Sequence, residues 1–160
     1  MKRGIYPGTF DPITNGHLDL VHRGLRIFEE IIVAVAPSPK KQPLFTIEER
    51  LHLIRESVKE YGNVRVEAFN GLLVGYAKAK DGVAIIRGLR AVSDFEYELQ
   101  MALMNRRLSS RVETVFMLPA ESYSFLSSKL VREIAGLGGS IHEFVPADVE
   151  RRLRRKFEAK

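Results

Sequence analysis

The run Glu30-Ile31-Ile32-Val33-Ala34-Val35-Ala36 is continuously apolar after its first residue and has the length of one strand. This pattern is expected in a parallel sheet, because helices cover both faces of such a sheet and exclude water from every strand side chain. Residues 17–28 and 46–61 on either side have the apolar spacing of helices, and the second opens with the capping box Thr46-Ile47-Glu48-Glu49. The run is therefore predicted to be a buried strand between two helices.

Strand and helix patterns alternate along the rest of the chain. Further strands are predicted at 4–6, 63–69, 82–86 and 112–118, and further helices at 72–80, 94–108, 126–135 and 148–157. This alternation predicts an α/β fold with a doubly wound parallel sheet of about five strands. No repeat or linker interrupts it, so residues 1–160 are expected to form a single domain, with a core at about 4–150 and a basic C-terminal helix at about 148–158.

Composition narrows the class of protein. With 45% hydrophobic and 28% charged residues, the chain matches a soluble globular protein. No stretch approaches the roughly 20 apolar residues of a membrane span, and the first residues do not resemble a secretory signal. Cysteine is absent, which excludes thiolate chemistry and is compatible with the cytoplasm, where we expect the protein.

The net charge of +5 suits a polyanionic partner. Nucleic acid is one candidate, and ATP or a phosphorylated small molecule is another. Much of the excess charge lies at 151–160, where we expect a solvated helix face rather than a nucleic-acid site. We therefore expect small-molecule partners, and neither a membrane nor a nucleic acid.

Glycine, threonine and histidine follow the first predicted strand, in Tyr6-Pro7-Gly8-Thr9-Phe10-Asp11-Pro12-Ile13-Thr14-Asn15-Gly16-His17. Gly8 lets the backbone approach a ligand, and Thr9 offers a hydroxyl and an N–H group. His17 falls in the first turn of a helix, where N–H groups and the helix dipole attract phosphate. A zinc pair with His22 is excluded because a spacing of five residues does not place both rings on one helical face, and the P-loop pattern is missing. The run predicts a phosphate site; the alternative is an ordinary strand-to-helix turn with a surface histidine.

Within this run, Thr14-Asn15-Gly16-His17 resembles the T/H-x-G-H signature of the nucleotidyltransferase superfamily, whose members share a Rossmann-like fold. The whole run at 6–17 resembles one family in particular, the bacterial phosphopantetheine adenylyltransferases. The later motifs follow in the order found in that family, so the resemblance extends over residues 4–150.

Two arginines straddle a glycine after the fourth predicted strand, in Ile86-Arg87-Gly88-Leu89-Arg90. Arginine binds phosphate through two parallel hydrogen bonds, so the pair predicts a polyphosphate clamp. Ion pairs of these arginines with Asp94, Glu96 or Glu98 are the alternative. The run from Arg87 to Glu98 resembles the same family, which implies that Arg87 contacts the acceptor substrate and that Gly88, Leu89, Arg90 and Glu98 contact ATP.

Two adjacent lysines follow the second predicted strand, in Pro37-Ser38-Pro39-Lys40-Lys41-Gln42-Pro43. Composition alone allows either a phosphate-binding loop or a solubilising turn. The resemblance implies that Lys41 contacts the phosphate of the acceptor and helps to orient its attack. It also implies an acceptor contact for Leu73, which by its residue type alone would be a packing residue.

Hydroxyl groups gather at another predicted helix start, in Tyr123-Ser124-Phe125-Leu126-Ser127-Ser128-Lys129-Leu130-Val131-Arg132. A serine N-cap would explain one of the two adjacent serines, but not the whole cluster. The segment resembles the second superfamily signature, I-S-S-T-x-x-R/K, which binds the triphosphate of ATP. It departs from the signature at Leu126, where isoleucine is usual, and at Lys129, where a cation replaces a hydroxyl. The ATP contacts implied along the chain are Thr9, Phe10, His17, Gly88, Leu89, Arg90, Glu98, Tyr123, Ser124, Phe125, Leu126, Ser127, Ser128 and Lys129.

The resemblance implies transfer of the adenylyl group of ATP to 4′-phosphopantetheine, which gives dephospho-coenzyme A and pyrophosphate. His17, Lys41 and Arg90 would be the catalytic residues, and Thr9, Lys41, Leu73 and Arg87 would bind the acceptor. Mg²⁺ is expected to arrive with ATP and to be held by phosphate and water, since no carboxylate cluster lies in the motifs. The resemblance further implies a homohexamer and inhibition by coenzyme A. Another small-molecule nucleotidyltransferase, acting on nicotinamide mononucleotide or using CTP, and a basic nucleic-acid-binding module are the alternatives.

Overall fold

The computed structural model describes residues 1–90 and 95–159. Strands and helices alternate over these residues, as the sequence predicts. The strands are β1 (Arg3–Gly8), β2 (Glu30–Val35), β3 (Val64–Ala68), β4 (Gly82–Gly88) and β5 (Glu113–Met117). The α-helices are α1 (Asn15–Gly24), α2 (Ile47–Val58), α3 (Leu73–Ala79), α4 (Phe95–Leu108), α5 (Ser128–Gly136) and α6 (Ala147–Glu158). Single 3₁₀ turns occur at Pro39–Lys41 and Glu121–Tyr123.

The strands form one parallel sheet in the order β3-β2-β1-β4-β5. The chain moves outward from β1 to β3, then returns to the other side of β1 and continues through β4 to β5. The strand order therefore reverses between β1 and β4, whose C-terminal ends flank the topological switch point of a doubly wound sheet. The predicted fold class is confirmed, and the switch point marks where a ligand site belongs.

Alternate side chains of the strands pack on opposite faces of the sheet. Ile5, Ile32 and Ile85 join the apolar cluster beneath α3. Their strand neighbours face the larger cluster, to which α1, α2, α5 and α6 contribute. Every residue of β2 is buried, which accounts for its continuous apolar sequence after Glu30. No helix in the described part of the chain is long and apolar enough to cross a membrane.

Strand β1 continues through Pro7 to Gly8, two residues beyond the predicted end at Tyr6. Proline cannot donate a backbone hydrogen bond, so it is rare inside a central strand. Here the pairing between β1 and β4 reaches only to Ile5 and Ile85, whereas β1 pairs with β2 as far as Gly8. Pro7 therefore lies where β1 has separated from β4, and the strand tolerates it.

The starts of α1, α2 and α5 follow side-chain caps. Thr46 and Glu49 form the predicted capping box of α2. Helix α1 begins at Asn15 because Thr14 caps its start, and it ends at Gly24, four residues before the predicted end at Phe28. Helix α5 begins two residues after its predicted start because Ser127 is its N-cap. The predicted start of α4 at Asp94 lies outside the described residues.

Candidate active site

A cleft of ≈ 800 Å³ opens at the C-terminal ends of the strands, over the switch point between β1 and β4. Most of the residues predicted to bind substrate or ATP line it. They are Thr9, Phe10, His17, Lys41, Leu73, Arg87, Gly88, Arg90, Glu98, Tyr123, Leu126, Ser127, Ser128 and Lys129. The fold thus gathers four separate sequence motifs around one cavity.

Three predicted ATP-contacting residues do not line the cleft. The backbone N–H of Leu89 donates to the carbonyl of Met117 on the neighbouring strand. The hydroxyl of Ser124 donates to the carbonyl of Glu121, and the ring of Phe125 packs edge-on against Phe144 with centroids 5.9 Å apart. In this structure these groups serve local structure, and the contacts of the three residues with ATP stay predictions.

His17 closes an unusual capping box at the start of α1. The backbone N–H of Thr14 donates to Nδ1 of His17 at 3.0 Å, and the backbone N–H of His17 donates to the hydroxyl of Thr14 at 3.3 Å. Because Nδ1 accepts a hydrogen bond, the neutral ring must carry its proton on Nε2. His17 therefore offers one N–H donor to a ligand in the cleft.

The surroundings of His17 keep its ring neutral. Burial, with a further contribution from the positive charge of Arg90, lowers the pKa of His17 to about 4. The ring of Phe10 packs edge-on against it with centroids 5.0 Å apart, and Phe10 itself adopts a left-handed φ of 49°. Burial also raises the pKa of Tyr6, so this cleft residue keeps its phenolic proton. A neutral donor is suited to a phosphate, which supplies the negative charge itself.

Thr9, Ser38 and Lys41 form a polar group that we term the Thr9 cluster. The hydroxyls of Thr9 and Ser38 lie 3.0 Å apart, and Nζ of Lys41 donates to the hydroxyl of Thr9 at 3.3 Å. Thr9 follows β1, whereas Ser38 and Lys41 belong to the segment that follows β2. The cluster thus brings an ammonium group and two hydroxyls from neighbouring strand ends to one side of the cleft.

Arg87 and Arg90 have different partners; β4 extends to Gly88, two residues beyond its predicted end, so Arg87 lies in the strand and only Arg90 follows it. Arg87 donates twice to the carboxylate of Glu98 on α4, from Nε at 2.8 Å and from Nη2 at 2.5 Å, and this pairing raises its pKa. Arg90 donates to the carbonyl of Leu126 at 3.0 Å. The ion pair considered for Arg87 from the sequence is therefore present, and the same guanidinium also faces the cleft.

The start of α5 forms the opposite wall. Ser127 accepts the backbone N–H of Leu130 at 3.1 Å as the N-cap, and the hydroxyl of Ser128 donates to the carbonyl of Pro12 at 2.7 Å. The second contact joins the α5 start to the loop before α1. Two helix N-termini, those of α1 and α5, consequently contribute to one cleft, and each attracts anions.

Sequence reasoning assigned no role to several residues that hold the cleft together. Asp11 is buried, accepts the backbone N–H groups of Leu44 and Phe45 at 2.9 Å each, and lies 3.5 Å from the guanidinium of Arg132. Arg132 occupies the final R/K position of the second signature, and that position is the sequence feature from which its role could have been predicted. Ser38 offered no comparable pattern.

Carboxylate and histidine side chains form no cluster of three or more that could hold a metal ion within residues 1–90 and 95–159. The two acidic residues of the cleft, Asp11 and Glu98, are both engaged by protein groups. Most of the other polar side chains of the cleft are hydroxyls and cations, which suits a magnesium ion bound mainly through phosphate and water oxygens.

Comparison with known proteins defines the class to which this fold and cleft belong. The family model described as cytidylyltransferase-like matches residues 5–134, so the chain belongs to the cytidylyltransferase-like family. Within it, the chain is 61% identical over 158 residues to the phosphopantetheine adenylyltransferase of Thermodesulfovibrio yellowstonii, covering 98% of each chain. It is 56% identical to that of Alkaliphilus oremlandii, covering 98% of this chain and 100% of the relative. The particular family is therefore that of the phosphopantetheine adenylyltransferases.

Solved structures agree on the fold. A candidate nicotinate-nucleotide adenylyltransferase from Vibrio parahaemolyticus matches 96% of this chain and 99% of its own with a TM-score of 0.70 at 15% identity. A bifunctional NMN adenylyltransferase/ADP ribose pyrophosphatase from Francisella tularensis matches 98% of this chain and 49% of its own with a TM-score of 0.69 at 14% identity. At this identity the likeness concerns the fold alone.

Proposed function

We propose that this chain transfers the adenylyl group of ATP to 4′-phosphopantetheine, giving dephospho-coenzyme A and pyrophosphate in coenzyme A biosynthesis. The observation that carries the proposal is the single cleft in which the α1 and α5 helix starts meet the Thr9 cluster, Arg87 of β4 and Arg90 beyond it. A two-substrate phosphate reaction needs several anion-binding groups around one point. Family membership at 61% identity supplies the name of the reaction.

The proposed step is a direct in-line displacement. A phosphate oxygen of 4′-phosphopantetheine forms a bond to the α-phosphorus of ATP, the bond from that phosphorus to the bridging oxygen of the β-phosphate breaks, and pyrophosphate leaves. The acceptor is already an anion, so no general base is required. Alignment and charge stabilisation carry the reaction.

His17 is proposed to act on the α-phosphate. Its Nε2–H is the ring donor that the capping box leaves for a ligand. A hydrogen bond to a non-bridging oxygen strengthens as negative charge develops in the transition state, which lowers the barrier without a proton transfer.

Cations on both sides of His17 are proposed to hold the two phosphorylated partners. Lys41, in the Thr9 cluster, binds the acceptor phosphate, and Arg90 binds the ATP phosphates. Arg87 is engaged by Glu98, so the acceptor phosphate competes with that carboxylate for the guanidinium. Leu73 lines the same cleft and gives the acceptor an apolar contact.

Mg²⁺ is proposed to accompany ATP. The ion would neutralise charge on the phosphates and on the leaving pyrophosphate. Its protein contacts would be hydroxyl and water oxygens, since the cleft carboxylates are engaged elsewhere.

The decisive experiment measures pyrophosphate release from ATP with different acceptors. We expect release with 4′-phosphopantetheine and little with nicotinamide mononucleotide, and we expect CTP to replace ATP poorly. The acceptor specificity matters because the solved relatives of the same fold include an NMN adenylyltransferase. No release with ATP and 4′-phosphopantetheine would refute the proposal.

A nucleic-acid-binding role for α6 is less well supported. Three of its basic residues pair with acidic neighbours, Arg151 with Asp148, Arg154 with Glu150, and Lys156 with Glu49. Such pairing reduces the charge available for a phosphate backbone. Combined replacement of Arg152, Arg154 and Arg155 by alanine should leave adenylyl transfer unchanged, and tight salt-sensitive RNA binding that these changes abolish would favour the nucleic-acid role.

Assembly into a homo-oligomer, a hexamer by family resemblance, is proposed from helix α4. Its inward positions, Glu98, Ala102 and Asn105, are polar or small, whereas large apolar side chains are exposed. The exposed ones are Phe95, Tyr97, Leu99, Met101, Leu103, Met104 and Leu108. A helix with this reversed distribution needs an apolar partner surface, which a second copy of α4 and its neighbours can supply.

Feedback inhibition by coenzyme A and a cytoplasmic location complete the proposal. Coenzyme A shares the pantetheine arm of the acceptor and the adenosine of ATP, so it can compete for the same cleft. Competition kinetics against 4′-phosphopantetheine test the first point. The absence of cysteine is compatible with the second.

A further inference from the structure

Arg50 lies in the buried face of α2 and takes no part in the reaction proposed above. Only 2% of its surface is exposed. Burial lowers its pKa, although a guanidinium keeps its charge at any physiological pH. A buried positive charge close to a phosphate-binding cleft requires a physical explanation.

The partners of Arg50 are backbone carbonyls from two different loops. Its Nη1 donates to the carbonyls of Thr9 and Ala36, each at 2.8 Å, and its Nη2 donates to the carbonyl of Pro37 at 3.1 Å. Thr9 belongs to the loop after β1, and the other two belong to the loop after β2. One planar guanidinium therefore fastens the two loops to α2 and to each other.

Stability alone explains this arrangement poorly. Arg50 forms no ion pair with any residue that the structure describes, although the charges of Asp11 and Glu48 act on it from nearby. Its Nε is also buried, and no atom of the described residues 1–90 and 95–159 accepts a hydrogen bond from it. Burying a charge against neutral carbonyls, with one N–H unsatisfied, opposes folding, and the three hydrogen bonds to the carbonyls offset only part of that cost.

The carbonyls that Arg50 binds belong to the backbone that carries the Thr9 cluster. Thr9 itself supplies one carbonyl, and Pro37 precedes Ser38 in the chain. The hydroxyl pair of Thr9 and Ser38, 3.0 Å apart, spans the two loops that Arg50 joins. Lys41 donates to the same Thr9 hydroxyl. The distance between the loops, and with it the placement of Lys41 against the cleft, depends on the guanidinium behind them.

The geometry points to Arg50 as a positioning residue for adenylyl transfer, which sets the Thr9 cluster through the backbone without touching substrate. The inference rests on the proposed function, because it assigns the cluster to the acceptor phosphate. Lysine cannot replace Arg50, since a single ammonium group cannot reach three carbonyls in the fixed fork geometry of a guanidinium.

The test compares Arg50→Lys with Arg55→Lys. Arg55 lies on the same helix and also donates to a backbone carbonyl, but this carbonyl is that of Val66 in β3, at 3.3 Å, and not one in a loop of the Thr9 cluster. Misplacement of catalytic groups by about 1 Å lowers turnover roughly 100-fold. We expect a fall of that order in kcat for Arg50→Lys, a KM for ATP close to that of the wild type, and no change in either constant for Arg55→Lys.

A double-mutant cycle with Thr9→Val separates positioning from a general loss of structure. The Thr9 hydroxyl contacts both Ser38 and Lys41, so its removal leaves no cluster for Arg50 to position. In the Thr9→Val background, Arg50→Lys should therefore lower kcat by a much smaller factor than in the wild type. A variant that is merely less stable would lose the same factor in both backgrounds. Arg50→Met, which keeps most of the side-chain volume without charge, provides a second cycle, and all assays are run below the unfolding temperature of each variant.

The outcomes are distinguishable. If the wild-type protein is active and Arg50→Lys has the same kcat, the positioning role is overturned and the proposed function stands. The same holds if Arg50→Lys lowers kcat by equal factors with Thr9 and with Thr9→Val. An inactive wild-type protein contradicts the proposed function and this inference together.

Discussion

His17 serves the fold and the proposed chemistry with different atoms of one ring. Its Nδ1 completes the capping box of α1, which fixes the tautomer and the ring orientation. Its Nε2–H is then available to a phosphate. The structural role of the histidine thus prepares the catalytic one, and no separate residue is needed to orient the ring.

Replacement of His17 by alanine should lower kcat by about 100- to 1000-fold, the cost of removing one preorganised donor to a developing anion. The dissociation constant for ATP should change by a small factor only, since the contact strengthens in the transition state. Steady-state kinetics and calorimetric titration of ATP measure the two quantities. His22→Ala, on the exposed side of the same helix, is the control, and an unchanged kcat in His17→Ala would refute the role.

The lowered pKa of His17 predicts a pH dependence of stability. The unfolded chain takes up this proton near the ordinary pKa of 6.5, whereas the folded protein takes it up only near 4. Between these values the unfolded state binds more protons, so the contribution is complete above pH 6.5 and is lost as pH falls towards 4.

Urea unfolding at pH 7 and pH 5 checks this prediction. The free energy of unfolding should fall less between these values in His17→Asn than in the wild type, while His22→Asn should behave like the wild type. Equal losses in all three proteins would show that His17 titrates normally in the folded state.

The chemistry-bearing residues of the cleft were visible in the sequence because glycine, hydroxyl and cationic residues follow the strand ends. Thr9, Lys41 and Arg90 could be named on that ground together with the family resemblance. Arg50 and Asp11 could not, because they hydrogen-bond to backbone groups 13 or more residues away. Backbone acceptors leave no mark in a sequence. The one available hint was a charged residue near the apolar positions Leu53, Ile54 and Val58 of α2.

At the scale of elements, the cleft depends on helix starts. Helix α1 begins with Gly16 in its first turn, and a Cβ atom there would lie 3.5 Å from both the Thr14 hydroxyl and the Cβ of Tyr123. These are ordinary contact distances, so the folded chain has room for alanine. Packing therefore does not require the glycine, and we propose that the approach of a ligand does.

Gly16→Ala should accordingly keep or slightly raise the melting temperature while increasing the KM for ATP severalfold, since its methyl group lies at the cleft wall. Thermal unfolding and initial-rate kinetics provide the two measurements. Gly75→Ala, at another helical glycine with open space around it, is the control and should leave both kinetic constants unchanged. A lower melting temperature with normal kinetics in Gly16→Ala would indicate a packing role instead.

Element types were predictable, but several boundaries were not. The extension of β1 through Pro7 depends on which neighbour β1 pairs with at that level, and the sequence of β1 does not contain that information. The starts of α1 and α5 depend on the caps Thr14 and Ser127. Caps are short-range features, and the apolar spacing from which the helices were predicted does not locate them; for α5 the sequence left Ser127 and Ser128 as alternatives.

At the scale of the whole molecule, α4 predicts association. Leu103→Glu combined with Met104→Glu places charges on a face where 53% and 57% of the wild-type side chains are exposed in one chain. Light scattering after size-exclusion chromatography should give a multiple of 18.2 kDa for the wild type and a smaller mass for the variant. Ile27→Glu, at an exposed apolar residue outside α4, should keep the wild-type mass. A monomeric wild-type protein would contradict the proposal.

The sequence by itself determined the fold class and the residues that can bind phosphate. Burial of a parallel sheet on both faces requires continuous apolar strands, and phosphate binding requires glycine, hydroxyl and cationic residues at their ends. Both features are therefore visible in short stretches of sequence. Only the tertiary structure decided that Arg87 pairs with Glu98, that His17 stays neutral, and that Arg50 joins the loops carrying Thr9 and Ser38. Each of these depends on the distance between groups far apart in the chain, and the strand order sets that distance.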